Sequence, residues 1–179
     1  MKYRTYNNVE IRQLTVICGN ENNGQENWFN GAYGSLLQTT FKQSFPCTTR
    51  TQILNPEQLA SNTITFVYHP ENNLHIREQY DLGIKLAKAA ARDCQIIVNT
   101  NSDMLILGIQ TAVAENIIQH DTVVFHWFYI NQDTQKITIE SCNIDRAGRT
   151  GDWRCDFLES RLVAQQRFLN AASTNIRDR

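Results

Sequence analysis

Four β-branched apolar runs, separated by stretches with helical periodicity, limit what this chain can fold into. The runs are Leu14-Thr15-Val16-Ile17-Cys18, Ile64-Thr65-Phe66-Val67-Tyr68, Gln95-Ile96-Ile97-Val98-Asn99 and Thr122 to Ile130. Strands covered on both faces read as continuous apolar runs rather than as alternating ones. Between them, helical spacing predicts helices over about Asn27 to Lys42 and Arg77 to Arg92. A third helix is predicted from an N-cap at Ser102 to about Asn116. Strands that alternate with helices imply an α/β fold, with a mostly parallel sheet and helices on both faces.

The strand beginning at Leu14 is expected near the centre of that sheet, flanked by the strands at Ile64 and Gln95. Phe45 to Asn62 reads as mostly loop, with one helical turn at Pro56-Glu57-Gln58-Leu59. Thr122 to Ile130 and Lys136 to Cys142 read as a C-terminal antiparallel hairpin around Asn131 to Gln135. A final amphipathic helix is predicted from Asp156 to Ala172.

A chain of 179 residues is long enough for one packed domain and too short for two with a linker. It is read as a single domain with halves 1–62 and 63–120 and a C-terminal part 121–179. The net charge of −1 excludes a strongly basic nucleic-acid binder and an acidic-tail protein. About 32 residues are Asn or Gln, above ordinary usage, but they are scattered and form no low-complexity tract. No apolar run reaches about 18 residues, so no membrane span is expected. Met1 to Asn8 is polar and has no signal-peptide core. The five cysteines, Cys18, Cys47, Cys94, Cys142 and Cys155, contain no C-x-x-C pair. Reduced thiols and a cytoplasmic location are the expectation.

A strand, a Gly-containing loop and a helix, in that order, form the layout of a phosphate cradle. The pattern G-x-x-x-x-G-K-[S/T] uses backbone amides and a helix N-terminus to hold phosphates, a lysine for their charge and a hydroxyl for magnesium. Here Gly19 and Gly24 have that spacing. Gln25 stands at the lysine position and Glu26 at the hydroxyl position.

These residues resemble the opening of the predicted ABC-type AAA ATPases, a P-loop NTPase group related to the ATPase parts of OLD-type and other anti-phage proteins. Such proteins typically read LTVICGKNNSGKT where this chain has Leu14 to Gly19 and the loop that follows. Their Walker B strand leads into IENPEAHLHP, and a later strand ends VETHSD. Val67 to Ile76 and Val98 to Asp103 are similar. A third similarity runs from about Asp121 to Phe157, where the family's WPxGFF ending is matched by Asp152-Trp153-Arg154-Cys155-Asp156-Phe157.

The resemblance implies a P-loop-NTPase-like sheet and a degenerate nucleotide site at Gly19, Gly24, Gln25 and Glu26. It places the Walker B acid at Tyr68, a neighbouring catalytic acid at His69, the switch histidine at Asn101, and an intact acid at Asp103. No segment of the LSGG type lies between the two halves. Exchanging Lys and Thr for Gln25 and Glu26 moves local charge from +1 to −1. One unit-charge contact at about 4 Å is worth up to roughly 4 kcal/mol at an effective dielectric of 20, and micromolar binding totals only about 8 kcal/mol. The expectation is therefore a pseudo-ATPase with no cofactor and no catalytic residue, kept as a scaffold for a protein partner. The family setting suggests a bacterial multi-protein or defence system.

Two alternatives belong to other classes. One is a divergent ATP hydrolase completed by a partner chain. The other is a nucleic-acid-binding module using Arg146, Arg149, Arg154, Arg161 and Arg167, although Asp145, Asp152, Asp156 and Glu159 interleave with them. Candidate anchors for a protein partner are Trp127, Trp153 and Phe157. Trp127-Phe128-Tyr129 cannot all enter one core layer, because successive strand residues face opposite ways. His69-Pro70-Glu71 has the H-x-E form of zinc deaminases, but the P-C-x-x-C that this chemistry needs is missing. His75, His120 and His126 fit no standard metal spacing, so no metal site is assigned. Glu71 to His75 reads as the turn before the long helix.

Overall fold

The computed structural model describes residues 4–19, 24–43, 48–51, 55–59, 61, 63–151, 166, 167 and 169. Its strands are β1 (Arg4–Tyr6), β2 (Val9–Ile11), β3 (Leu14–Gly19), β4 (Thr48–Thr51), β5 (Ile64–Tyr68), β6 (Gln95–Asn99), β7 (Val123–Ile130) and β8 (Ile137–Asn143). The helices are α1 (Gln25–Gln43), α2 (Ile76–Ala90) and α3 (Asp103–Ala114), with 3-10 turns at Pro56–Gln58 and His120–Thr122. The fold is α/β. Six strands form one sheet in the order β4-β5-β6-β3-β7-β8, parallel except for the final β7–β8 pair.

The strand order corrects one expectation. β3 is flanked by β6 and β7, with Leu14 opposite Ile96 on one side and Val123 on the other. The Ile64 strand lies one place further out, against β6. The chain leaves β3 for the far edge, returns through β5 and β6, and then crosses β3 to lay down β7. A second correction concerns Phe45 to Asn62, part of which is the edge strand β4. The expected turn at Pro56 is present, with Asn55 as its cap. Of the predicted 156–172 helix, residues 166, 167 and 169 are helical and the rest lie outside the described residues.

Two apolar layers sandwich the sheet. Leu14, Val16, Cys18, Ile96, Val98, Phe125 and Trp127 face α2 and α3, where Leu82, Leu86, Leu105 and Ile109 complete one core. Ile17, Phe66, Ile97 and Phe128 face α1, where Trp28, Phe29 and Ala32 complete the other together with Val9 and Ile11 from β2. Cys18 and Cys94 pack as small buried hydrophobes. Trp127 and Phe128 thus enter opposite layers, and Tyr129 is half-buried at the side of the first.

β1 and β2 form a separate hairpin turned by Asn7 and Asn8, both with positive φ (49° and 63°), as a tight two-residue hairpin requires. This hairpin is tied to the main sheet by His126, which is wholly buried. Its Nε2–H donates to the Glu10 carbonyl (2.7 Å), leaving Nδ1 to accept from the Ser141 hydroxyl (2.8 Å). On the other layer α2 and α3 touch backbone to backbone. A Cβ on Gly83 would overlap the Leu105 carbonyl oxygen, and one on Gly108 would overlap that of Tyr80.

Gly108→Ala should therefore force the two helices apart. The clash of about 1–3 kcal/mol outweighs a helix-propensity gain of about 1 kcal/mol. Urea denaturation should show a lower midpoint than the unmodified chain, with far-UV circular dichroism unchanged. The second prediction concerns acid. Burial holds His126 below its ordinary 6.5 against the opposing pull of Glu10, so the folded state keeps it neutral while the unfolded chain takes up a proton. Its contribution is complete above that value and is lost as pH falls below it. The denaturation midpoint should fall between about pH 7 and pH 5, and His126→Gln should flatten that fall.

Candidate functional site

β3 and β6 are parallel neighbours whose outgoing connections go to opposite faces, β3 to α1 and β6 to α3. In open α/β sheets, such a switch in direction opens a crevice beyond the carboxyl ends of the strands. Gly19, Gly24, Gln25 and Glu26 bound it from one side and Asn99 to Asp103 from the other.

The glycines are required by their surroundings. A Cβ on Gly19 would overlap the Phe128 carbonyl oxygen and lie 2.9 Å from Gln25 Oε1. Gly24 has φ +81°, in the left-handed region that favours glycine, and faces the side chain of Ile137. Its carbonyl accepts from the Trp28 N–H (3.0 Å) and so opens α1.

Gln25 does not point into solvent. It is only 5% exposed, and its amide lies 3.1 Å from that of Asn101. The Asn101 amide satisfies more groups when its nitrogen donates to the carbonyls of Gly19 (3.1 Å) and Thr100 (3.3 Å). With the Gln25 amide turned in step, the contact between the two side chains is kept with its polarity reversed. In either orientation the two positions that the resemblance assigns to the phosphate lysine and the switch histidine are held together by an amide bridge across the crevice. Glu26, in the first turn of α1, is exposed.

Beneath that bridge lies Glu71, which the sequence places in the turn before α2. It is 9% exposed, and its Oε1 accepts from the Asn101 N–H (2.7 Å) and sits 3.1 Å from His69 Nδ1. Burial pushes its carboxyl up. The hydrogen bonds from His69, from the Asn101 N–H and from Thr100 together push it down by more, so the net shift is below the ordinary 4.5. An internal carboxylate thus occupies the backbone N–H that leads into α3, a position suited to an anion.

His69 has φ +43°, a left-handed conformation that His adopts more readily than most side chains, and its backbone N–H donates to the Asn99 carbonyl (2.8 Å). Tyr68 is half-buried, with its ring centroid 4.5 Å from that of His69 and 5.8 Å from that of Phe29. Asp103 stands in the first turn of α3 after Ser102, whose Oγ accepts from the Leu105 N–H (3.0 Å) and donates to Gln79 Oε1 (2.6 Å). Ser102 is therefore the cap that the sequence implied.

The structure brings Gly19, Gln25, His69 and Asn101 together, with Glu71 added. It separates the other candidates. Trp127 is 2% exposed inside the α2/α3 core, so it is not offered to a partner, while Trp153 and Phe157 lie outside the described residues. His75 caps α2, with its ring Nδ1 accepting from the Arg77 N–H at 3.4 Å. Among the described residues no group of three His, Cys, Asp or Glu could hold a metal ion, and no helix is long and apolar enough to cross a membrane. Arg149 is paired with Asp145 at 2.9 Å. A surface groove of about 710 Å³ between α3 and residues 145–151 and one of about 540 Å³ beside α2 are not lined by crevice residues. No protein-family model matches the chain, and no curated protein matches it.

Glu71→Ala would leave the buried Asn101 N–H and His69 ring without their shared acceptor. It should lower stability by about 1.5–3 kcal/mol. Glu71→Gln isolates the charge. Because the carboxyl is held low, its contribution is present above about pH 4.5 and is lost as pH falls through its folded value. Denaturation compared at neutral and acid pH should show a smaller acid loss in Glu71→Gln than in the unmodified chain.

Proposed function

We propose that this chain is a non-catalytic, ATPase-like scaffold that binds a protein partner within a multi-protein assembly. The observation that supports this reading is the amide bridge between Gln25 and Asn101. For a triphosphate to enter the crevice, a side chain only 5% exposed would have to leave it and break that bond. The entering phosphates would gain no lysine at that position and would meet Glu26 and the Glu71 carboxylate. A unit-charge contact is worth up to roughly 4 kcal/mol against the roughly 8 kcal/mol of a micromolar ligand, so these repulsions oppose nucleotide binding.

A second reading, a divergent ATP hydrolase completed by a partner chain, draws on the position of the crevice. Two helices start there, and helix N-termini favour anions. The partial charge of about +0.5 at each is smaller than the charge that the two glutamates supply.

Calorimetry with magnesium and ATP tests the proposal. The unmodified chain should give no saturable heat at micromolar to low-millimolar ligand. The double change Gln25→Lys with Glu26→Thr should raise ATP affinity by at least tenfold, since it removes one repulsion and adds one attraction. Turnover by the unmodified chain alone would end the scaffold reading, and turnover appearing only with a partner would favour the second.

A further inference from the structure

We propose that the carboxyl end of β6 holds a bound-water site built by the side-chain amide of Asn99. Asn99 is the last residue of β6 and is wholly buried. It pairs in register with Ile17 of β3 and Tyr68 of β5, both of which contribute to the α1-side core. Neither atom of its side-chain amide finds a hydrogen-bond partner among the described residues. This holds whichever way the amide is turned, because the nitrogen and the oxygen are both left over.

One further buried polar end in the same cluster shares that condition. The neighbouring Glu71 carboxylate is already bonded, to the Asn101 N–H and the His69 ring through Oε1 and to Thr100. One end of the Gln25 amide meets Asn101, and the other end is likewise left over. Asn101 links these two side chains directly. The Asn99 carbonyl, through the His69 N–H and ring, links them to β6. Buried polar groups in native proteins are nearly always satisfied, and ordered water is the usual partner where protein atoms do not serve.

The unmet groups specify the ligand. Asn99 offers a donor and an acceptor. A bare cation could not accept from the Asn99 amide nitrogen, and a bare anion could not donate to its oxygen. A small neutral molecule that both donates and accepts satisfies both, and water fits these requirements in a buried site. The inference is independent of whether nucleotide binds at the mouth of the crevice.

The test uses the full chain and two measurements. Water-selective rotating-frame NMR should show a cross-peak between the Asn99 side-chain amide protons and a long-lived water. Oxygen-17 relaxation dispersion should then lose the amplitude of about one or more internal waters in Asn99→Leu, which keeps the side-chain size and removes both polar atoms. A dry, unpaired amide makes the opposite forecast. Asn99→Leu would then raise the melting temperature and leave the dispersion unchanged. Unchanged dispersion overturns the proposal whatever the melting temperature does. If Asn99→Leu fails to fold, the cross-peak in the unmodified chain decides, its presence supporting the site and its absence overturning it.

Discussion

Burial of β3 on both faces is the constraint from which the rest of the structure follows. All six of its residues are inaccessible, and neighbouring side chains enter opposite cores. A strand in that position needs a helix layer on each side. Its own connection supplies α1 to one layer, while the connections of β5 and β6 supply α2 and α3 to the other. That division makes the chain reverse direction between β3 and β6, and the crevice lies where it reverses. The backbone contact of Gly83 and Gly108 with the facing helix belongs to the same requirement, since it lets two helices share one side of the sheet.

At the crevice, charge and hydrogen bonding are satisfied largely from within. Glu71 receives the backbone N–H before α3 together with the His69 ring, and Gln25 closes on Asn101. A site of this kind has the topology of a ligand cradle and the chemistry of an internally bonded polar cluster. Its hydrogen bonds hold together three segments that are distant in sequence: the start of α1, the turn after β5 and the turn after β6. Loss of one member should be felt in stability before it is felt in any binding event.

The sequence discloses this architecture unevenly, and the reasons are physical. The strands at Leu14, Ile64 and Gln95 are legible because double-sided burial requires unbroken apolar runs. Ser102 and Pro56 are legible because caps and turns depend on local geometry. Strand order is not local, and it was misread for Ile64, whose run carries no mark of its neighbours. β4, Thr-Thr-Arg-Thr, is an edge strand without an apolar face and reads as loop. The crevice glycines and Gln25 were legible from spacing, but the inward fold of Gln25 was not, because an amide side chain is equally suited to solvent. Glu71 and Asn99 were missed for the same reason. Each is polar and looks exposed until β5, β6 and the helices close over it. Trp127 erred the other way, since aromatic character alone does not separate a core residue from an interface anchor.

The pairing of β3 also bears on how the protein is made. Its two neighbours, β6 and β7, are encoded about 80 and 110 residues downstream. During synthesis this doubly buried strand therefore leaves the ribosome long before either of its partners exists, and no hairpin can shield it. Contacts of such sequence separation carry a loop-closure cost before they are rewarded, and they form slowly. The nascent chain thus passes through a stage in which Leu14 to Cys18 is sticky and unpaired, a stage at which chaperone engagement or self-association competes with folding.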